Sequence, residues 1–266
     1  PKFEFNLSLV AENFYINDEF DKVQRILKNF KKEDEFYYWF RLKKEAQIII
    51  HEQGYENGIK YIDSKFNKIE NPNIKMIFDL ANFYKNSKNY EKAIDRYTEI
   101  ILTLDDNSLI KSDVLYRRGG SYERMGNYEK SDEDLLHALK IDPSDAYILN
   151  YLAYSWLERD YKINEAMDML KTAYDLKSND PYIIDSIGWA YFLIEDYVEA
   201  EKYLKRAVEL MPDDPIVNDH YGDILWKLNR KIQARYFWNN VLTFDDTEDY
   251  MREKINIKVI EGLKNS

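Results

Sequence analysis

Apolar side chains along this chain fall three and four positions apart, which gathers them on one face of an α-helix, and not at the alternate positions of a strand. A longer period lies over that spacing and is carried by small residues. Ala11, Ala46, Ala81, Gly119, Ala153, Gly188 and Gly222 are separated by 35, 35, 38, 34, 35 and 34 positions. Val23, Gly58, Ala93, Ser131, Ala166, Ala200 and Ala234 follow them twelve positions on, once thirteen. Bulky residues keep the same frame. Phe14, Ile49, Tyr84, Tyr122, Trp156, Tyr191 and Leu225 stand three after the first small column, and Leu27, Ile62, Tyr97, Leu135, Leu170, Leu204 and Trp238 stand four after the second. Helices approach closely only where side chains are small, so each unit predicts two antiparallel helices joined by a short turn, with Gly188 facing Ala200. Asp142-Pro143 and Pro212-Asp213 read as turns that stop a second helix.

These columns resemble the tetratricopeptide repeat, a 34-residue helix–turn–helix unit. Its pattern has a small residue at position 8, an aromatic at 11, Gly at 15, Tyr at 17, Ala at 20 and 27, a bulky residue at 24 and Pro at 32. The stretch Ser112–Asp145 carries Gly119, Tyr122, Gly126, Tyr128, Leu135, Ala138 and Pro143, with Ser131 in place of the usual Ala. The two N-terminal units depart from the pattern, since Phe30 and Lys65 stand at position 27. The resemblance implies an all-α fold, a right-handed superhelical solenoid of tandem helix–turn–helix repeats running through residues 1–266. Its units are read at 4–38, 39–73, 74–111, 112–145, 146–180, 181–214 and 215–248, with one residue inserted near Asp160–Asn164 and about one extra helical turn near Asn107–Lys111. Met251, Ile255, Val259 and Leu263, four apart, predict a cap helix over 249–264 that covers the last unit's apolar face.

Length and composition agree with this reading. A chain of 266 residues exceeds the size at which one core stops growing, so it holds two domains or a core drawn out as a strip. With 45% hydrophobic and 33% charged residues, many amphipathic helices, each with one wet face, satisfy both fractions. The net charge of -11 weighs against nucleic acid, whose binding rests on Lys and Arg neutralising phosphates. There is no cysteine, and the longest aliphatic run, Ile48–Ile50, falls far short of the ~18 residues of a membrane span. A soluble protein of the bacterial cytoplasm or periplasm fits, and the start at Pro1 reads as a trimmed or mature piece.

Catalytic and metal-binding sets are missing from the sequence. His51, His137 and His220 are never three or four apart, and His51-Glu-Gln-Gly-Tyr lacks the second His of a zinc helix. Gly119, Gly120 and Gly126 have no preceding strand or following Gly-Lys-Ser/Thr, and Asp132-Glu133-Asp134 lacks the alternating ligands and central Gly of a calcium loop. No enzyme activity, metal or cofactor is expected.

Resemblance to the family also implies that the first helix of each unit lines a concave groove, through positions 2, 5, 6, 9, 12 and 13. In the C-terminal units these positions are Tyr147, Asn150, Tyr151 and Tyr154, then Tyr182, Asp185, Trp189 and Phe192, then Asp219, His220, Asp223 and Trp226. Trp156 and Trp238 fall in core columns. The candidate site is therefore an aromatic shelf for a partner peptide or helix, with Asn150, Asp185 and Asp219 holding its backbone; the alternative for Trp189 and Trp226 is packing against the next helix. The carboxylate clamp of chaperone-tail binders is matched only by Lys43 and Lys44, with Gln47 in place of Asn, so that ligand is not expected. Residues 1–145 carry net -4 and residues 146–266 net -7, which favours a neutral or basic segment. The expected function is a non-catalytic scaffold or adaptor for another protein. The alternatives are a regulatory or targeting region of a larger protein and self-association through the terminal repeats. The stretches 185–189 and 219–226 resemble multi-repeat bacterial proteins, some of them exported lipoproteins that hold a protease or envelope machine.

Overall fold

The computed structural model of the chain describes residues 2–245 and 247–263. Among them there is no strand, and the helices follow one another in hairpins. In order they are α1 (Lys2–Ile16), α2 (Phe20–Leu27), α3 (Glu35–Gln53), α4 (Tyr55–Phe66), α5 (Ile74–Asn86), α6 (Tyr90–Ile101), α7 (Leu109–Arg124) and α8 (Tyr128–Ile141). Then come α9 (Ala146–Leu157), α10 (Ile163–Leu176), α11 (Pro181–Leu193), α12 (Tyr197–Leu210), α13 (Pro215–Lys227), α14 (Lys231–Thr243) and α15 (Asp249–Glu261).

Local chemistry sets the boundaries. Asp145, Asp180 and Asp214 each accept hydrogen bonds from the backbone N–H groups two and three residues on, and Pro181 and Pro215 open α11 and α13 where a missing N–H does no harm. The turn inside the hairpins has its own column. Asp18, Lys88, Gly126, Asp160, Glu195 and Asn229 all lie seven after the first small residue of their unit, and all have positive φ, between 50° and 74°. This left-handed residue ends the first helix and reverses the chain, at a conformational cost of about 1–2 kcal/mol wherever it is not glycine. The longer α9–α10 turn holds a second such residue, Lys162, in the segment where the sequence has one extra position.

Both small columns are buried: Ala11, Ala46, Ala81, Ala153, Val23, Ala93, Ala166, Ala200 and Ala234 have no exposed surface. Their partners differ from expectation. A methyl group on Gly188 would lie 2.8 Å from Cγ of Leu204, and one on Gly222 would lie 2.4 Å from Cδ1 of Trp238. The glycine thus makes room for the bulky residue four after the second column, so Gly188 meets Leu204 where Ala200 was expected. Small against large fills the interhelical space more fully than small against small.

The chain divides into two compact units between Asp134 and Leu135. In the N-terminal unit one cluster gathers Trp39, Leu42, Ala46, Ile62, Leu80, Tyr84 and Tyr97, and another joins Ala11, Val23, Leu27, Phe30 and Ile48. The buried Asp134 receives two 2.7 Å hydrogen bonds from Arg118, whose other nitrogen reaches Thr98. In the C-terminal unit Leu204, Val217, Leu225 and Trp238 pack with Met251 and Ile255 of α15, which lies against α14. Arg252 ties the start of α15 down by donating to the carbonyls of Thr247, Leu242 and Phe244.

Candidate partner-binding groove

The candidate residues lie on α9, α11 and α13, all within the C-terminal unit. At its centre is Trp189. Its ring stacks on Phe192, with centroids 4.7 Å apart and planes at 9°, and on His220 of α13, at 4.1 Å and 10°. The indole N–H donates to Glu158 across 3.1 Å, which fixes the ring's remaining freedom. Tyr154 of α9 leans on His220 at 6.3 Å. Burial holds the Tyr154 hydroxyl protonated well above the usual phenol range, and Glu158, Asp185 and Asp219 add to the effect.

Beneath these rings lies a buried charge cluster. His220 Nδ1 is 2.8 Å from Oδ2 of Asp185, while Oδ1 of Asp185 has no hydrogen-bond partner within the protein. Lys258, projecting from α15, places its ammonium 2.5 Å from Asp219 and 2.7 Å from both oxygens of Asp223. Trp238 donates its indole N–H to Asp223 at 2.9 Å, and the more exposed Lys254 stands 3.6 Å from Asp219. Burial, then the neighbouring Asp219, pushes Asp223 up to about 6, against the pull of Lys258. Burial opposes a charge on His220, yet the carboxylates of Asp185, Asp219 and Asp223 outweigh it and raise its pKa above the ordinary imidazole value.

The two shifts have the same sign. Both groups bind protons more tightly in the folded state, so what they contribute is lost as pH rises through the folded values. For His220 the contribution is complete below 6.5, its ordinary value. The stability difference between the wild type and His220→Gln is therefore expected to be largest in mildly acidic solution and to narrow towards alkaline pH. Denaturant unfolding over a pH series measures it; a gap that widens with pH would contradict the His220–Asp185 pairing.

Among the sequence candidates, Tyr154, Asp185, Trp189, Phe192 and His220 form one cluster, and Asp219 and Asp223 join it through the carboxylates around His220 and Lys258. Asp185, Asp219, His220 and Asp223 are buried, so the carboxylates expected to grip a partner's backbone are bonded inside the fold instead. Asn150, Tyr151, Tyr154, Trp189 and Phe192 remain partly exposed, while Tyr147 and Tyr182 are exposed at the start of α9 and α11. Trp226 stands apart. It packs on Trp238 with centroids 5.4 Å apart, under the Arg235 guanidinium and against Gly262, where a methyl group would come within 1.9 Å of the indole. Lys258 is the residue that sequence reasoning missed. It lies three after the buried Ile255 and seven after the buried Met251, so the helical period already put it on the inward face of α15.

Tandem hairpins with left-handed turns and small–large contacts define a helical-repeat protein of the solenoid class. A tetratricopeptide-repeat family model matches residues 64–244, and the chain belongs to that family. A solved tetratricopeptide repeat protein from Parabacteroides merdae superposes with a TM-score of 0.72 at 14% identity, over 97% of this chain and 99% of that one. The pilF protein of Pseudomonas aeruginosa superposes at 0.56 and 19% identity, over 71% and 85%. At these identities the likeness is one of fold. In sequence the chain is similar to a TPR repeat-containing protein of Pseudomonas aeruginosa, 30% identical over 41% of this chain and 18% of the relative. It is also similar to a lipoprotein NlpI homolog of Haemophilus influenzae, 26% identical over 47% and 40%. The chain thus aligns with well under two thirds of either relative. Such repeats build protein-interaction scaffolds, which are typically non-catalytic. Among the described residues no helix is long and apolar enough to cross a membrane.

Proposed function

We propose that the chain is a non-catalytic adaptor that holds an extended peptide or helix of a partner protein on the aromatic surface of its C-terminal unit. Trp189 carries the reading. A partly exposed indole, fixed by two ring stacks and one hydrogen bond, offers apolar surface that loses little freedom on binding. Phe192 and Tyr154 extend that face, and the half-buried Asn150 has an inward-facing Oδ1 with no hydrogen-bond partner within the protein. The acidic side chains near the shelf, Glu158 among them, favour a neutral or basic segment. The lipoprotein relative brings an envelope partner within this reading as one setting for the adaptor.

Affinity capture from the source organism, comparing the wild type with Trp189→Ala, identifies the partner, and titration of that partner tests the site. Trp189→Ala is expected to weaken binding by about 2 kcal/mol, roughly thirtyfold, and Trp189→Phe by much less. The melting temperature of Trp189→Ala should fall as well, because the indole covers the buried His220, and Trp189→Phe, which keeps a ring there, separates binding from folding. Equal dissociation constants for wild type and Trp189→Ala would remove the shelf from the binding surface. A second reading, in which this chain is the regulatory or targeting region of a larger protein, is favoured by the small share of the relatives that it matches. A catalytic signature elsewhere in the full reading frame would select it.

A further inference from the structure

The N-terminal unit contains a cavity of about 630 Å³ among α2, α3 and α4, remote in sequence from the groove residues. Its α3 wall is made by Tyr38, Arg41, Leu42, Glu45, Ile48 and Ile49. At 3.6 residues per turn these lie on the other side of the helix from Lys43, Lys44 and Gln47, the positions where the family pattern puts a concave groove. The cavity is thus a different surface, on the outer flank of the hairpins.

Its chemistry comes from a departure in the repeat. Position 27 is usually small, and in the second unit it is Lys65, which stands half-buried in the cavity wall over the Tyr61 ring. In the first unit the same position is Phe30, buried and stacked on Tyr37. The chain leaving Phe30 at once places Lys31 and Lys32 at the mouth, beside Lys28 from the end of α2. Arg41 is neutralised where it stands, because its guanidinium is bound to Glu45, whose other oxygen accepts from Tyr61. Four lysines, three within residues 28–32 and one on α4, therefore line a partly apolar floor, in a protein whose net charge is -11.

We propose that this cavity binds an acidic peptide segment of a partner protein, one in which Asp and Glu flank a large apolar side chain. The floor of Tyr38, Leu42 and Ile49 takes the apolar residue, and the lysines around it meet single carboxylates. A polyphosphate chain fits less well. It would leave the apolar floor of Tyr38, Leu42 and Ile49 without a partner side chain. The proposal concerns a second surface and does not depend on the Trp189 shelf.

The test uses the whole chain and a short fluorescent peptide of Glu and Asp around Leu and Phe, followed by anisotropy at low ionic strength. The peptide is expected to saturate, and its Gln/Asn counterpart to bind at least about tenfold more weakly. Lys28→Glu combined with Lys32→Glu should weaken the acidic peptide by about tenfold or more, and so should Lys65→Ala, which restores the family's small residue. Lys28 and Lys32 are exposed, so that reversal leaves the fold intact, as circular dichroism would verify. Trp189→Ala should leave the peptide's affinity unchanged. Equal binding of the acidic and amide peptides, or indifference to both sets of lysine variants, would overturn the proposal. Tighter binding of a single-stranded oligonucleotide than of the peptide would overturn it as well, in favour of a nucleic-acid surface.

Discussion

Lys258→Met is expected to lower the stability of the chain by about 3–5 kcal/mol, the usual result of removing one partner from a buried ion pair. The ammonium it removes is enclosed between Asp219 and Asp223, and all three side chains are less than a tenth exposed. Methionine fills much of the same volume, so the loss comes from two carboxylates left in a medium that solvates them poorly, not from a void. Lys254 cannot replace it, because its ammonium is 3.6 Å from Asp219 alone and largely in solvent. Asp223 is already pushed up to about 6 with Lys258 present, so without it the carboxyl should stay protonated to higher pH still. The variant should then be least impaired in acid. The rescue is specific: Asp219→Asn with Asp223→Asn in the Lys258→Met background should recover more than half of the loss, and the same pair alone should itself destabilise. Urea unfolding of the four chains closes the cycle. A loss below about 1 kcal/mol, or no rescue, would mean that α15 is held by its apolar face alone.

The same cluster separates what was legible in the sequence from what was not. The helical pairs and the buried columns follow from small side chains, but the residue that meets the glycine does not: Gly188 faces Leu204 of the bulky column and not Ala200. The left-handed turn was half legible. Gly126 marks it, but Asp18, Lys88, Asp160, Glu195 and Asn229 occupy the same offset, and only the backbone reveals a conformation that their identities do not announce. Side-chain partners across the hairpins were the least legible. Asp185, Asp219 and Asp223 fall in columns where a family pattern implies exposure, and an acidic column alone does not say whether its counter-charge is a partner or the chain itself. The missing information was that α15 brings Lys258 to Asp219 and Asp223 over a sequence distance of 35 to 39 residues, while Asp185 pairs with His220. The expectation that these carboxylates favour a neutral or basic partner segment assumed an exposed groove; in the fold their counter-charges are His220 and Lys258, the latter turned inward by the period of α15. The Lys65 cavity inverts the lesson. A departure from the repeat pattern, read as degeneracy in the sequence, is a wall of a cavity in the structure.

Trp238→Ala should cost about 3–5 kcal/mol, and the sign of a second substitution identifies the reason. Trp238 is the largest side chain with no exposed surface, it closes the core of the C-terminal unit, and its N–H is one of the donors that satisfy Asp223. Truncation therefore opens a cavity and takes a hydrogen bond from a buried carboxylate at once. Trp238→Phe separates these contributions, retaining most of the packing while losing the donor, and should fall between the wild type and Trp238→Ala. Gly222 provides the decisive control. A methyl group there would lie 2.4 Å from both Cδ1 and Nε1 of the indole, so Gly222→Ala in the wild-type chain is expected to destabilise by about 1–3 kcal/mol through overpacking. In the Trp238→Ala background the obstructing ring is gone, and the added methyl enters the space it left. There the better helix propensity of alanine also acts unopposed, at about 1 kcal/mol. Gly222→Ala should accordingly change sign, from destabilising to neutral or stabilising, a coupling that no two independent sites would produce. Calorimetric or urea unfolding of the four chains measures it. Additive losses would show that Gly222 serves the helix backbone and not the indole above it.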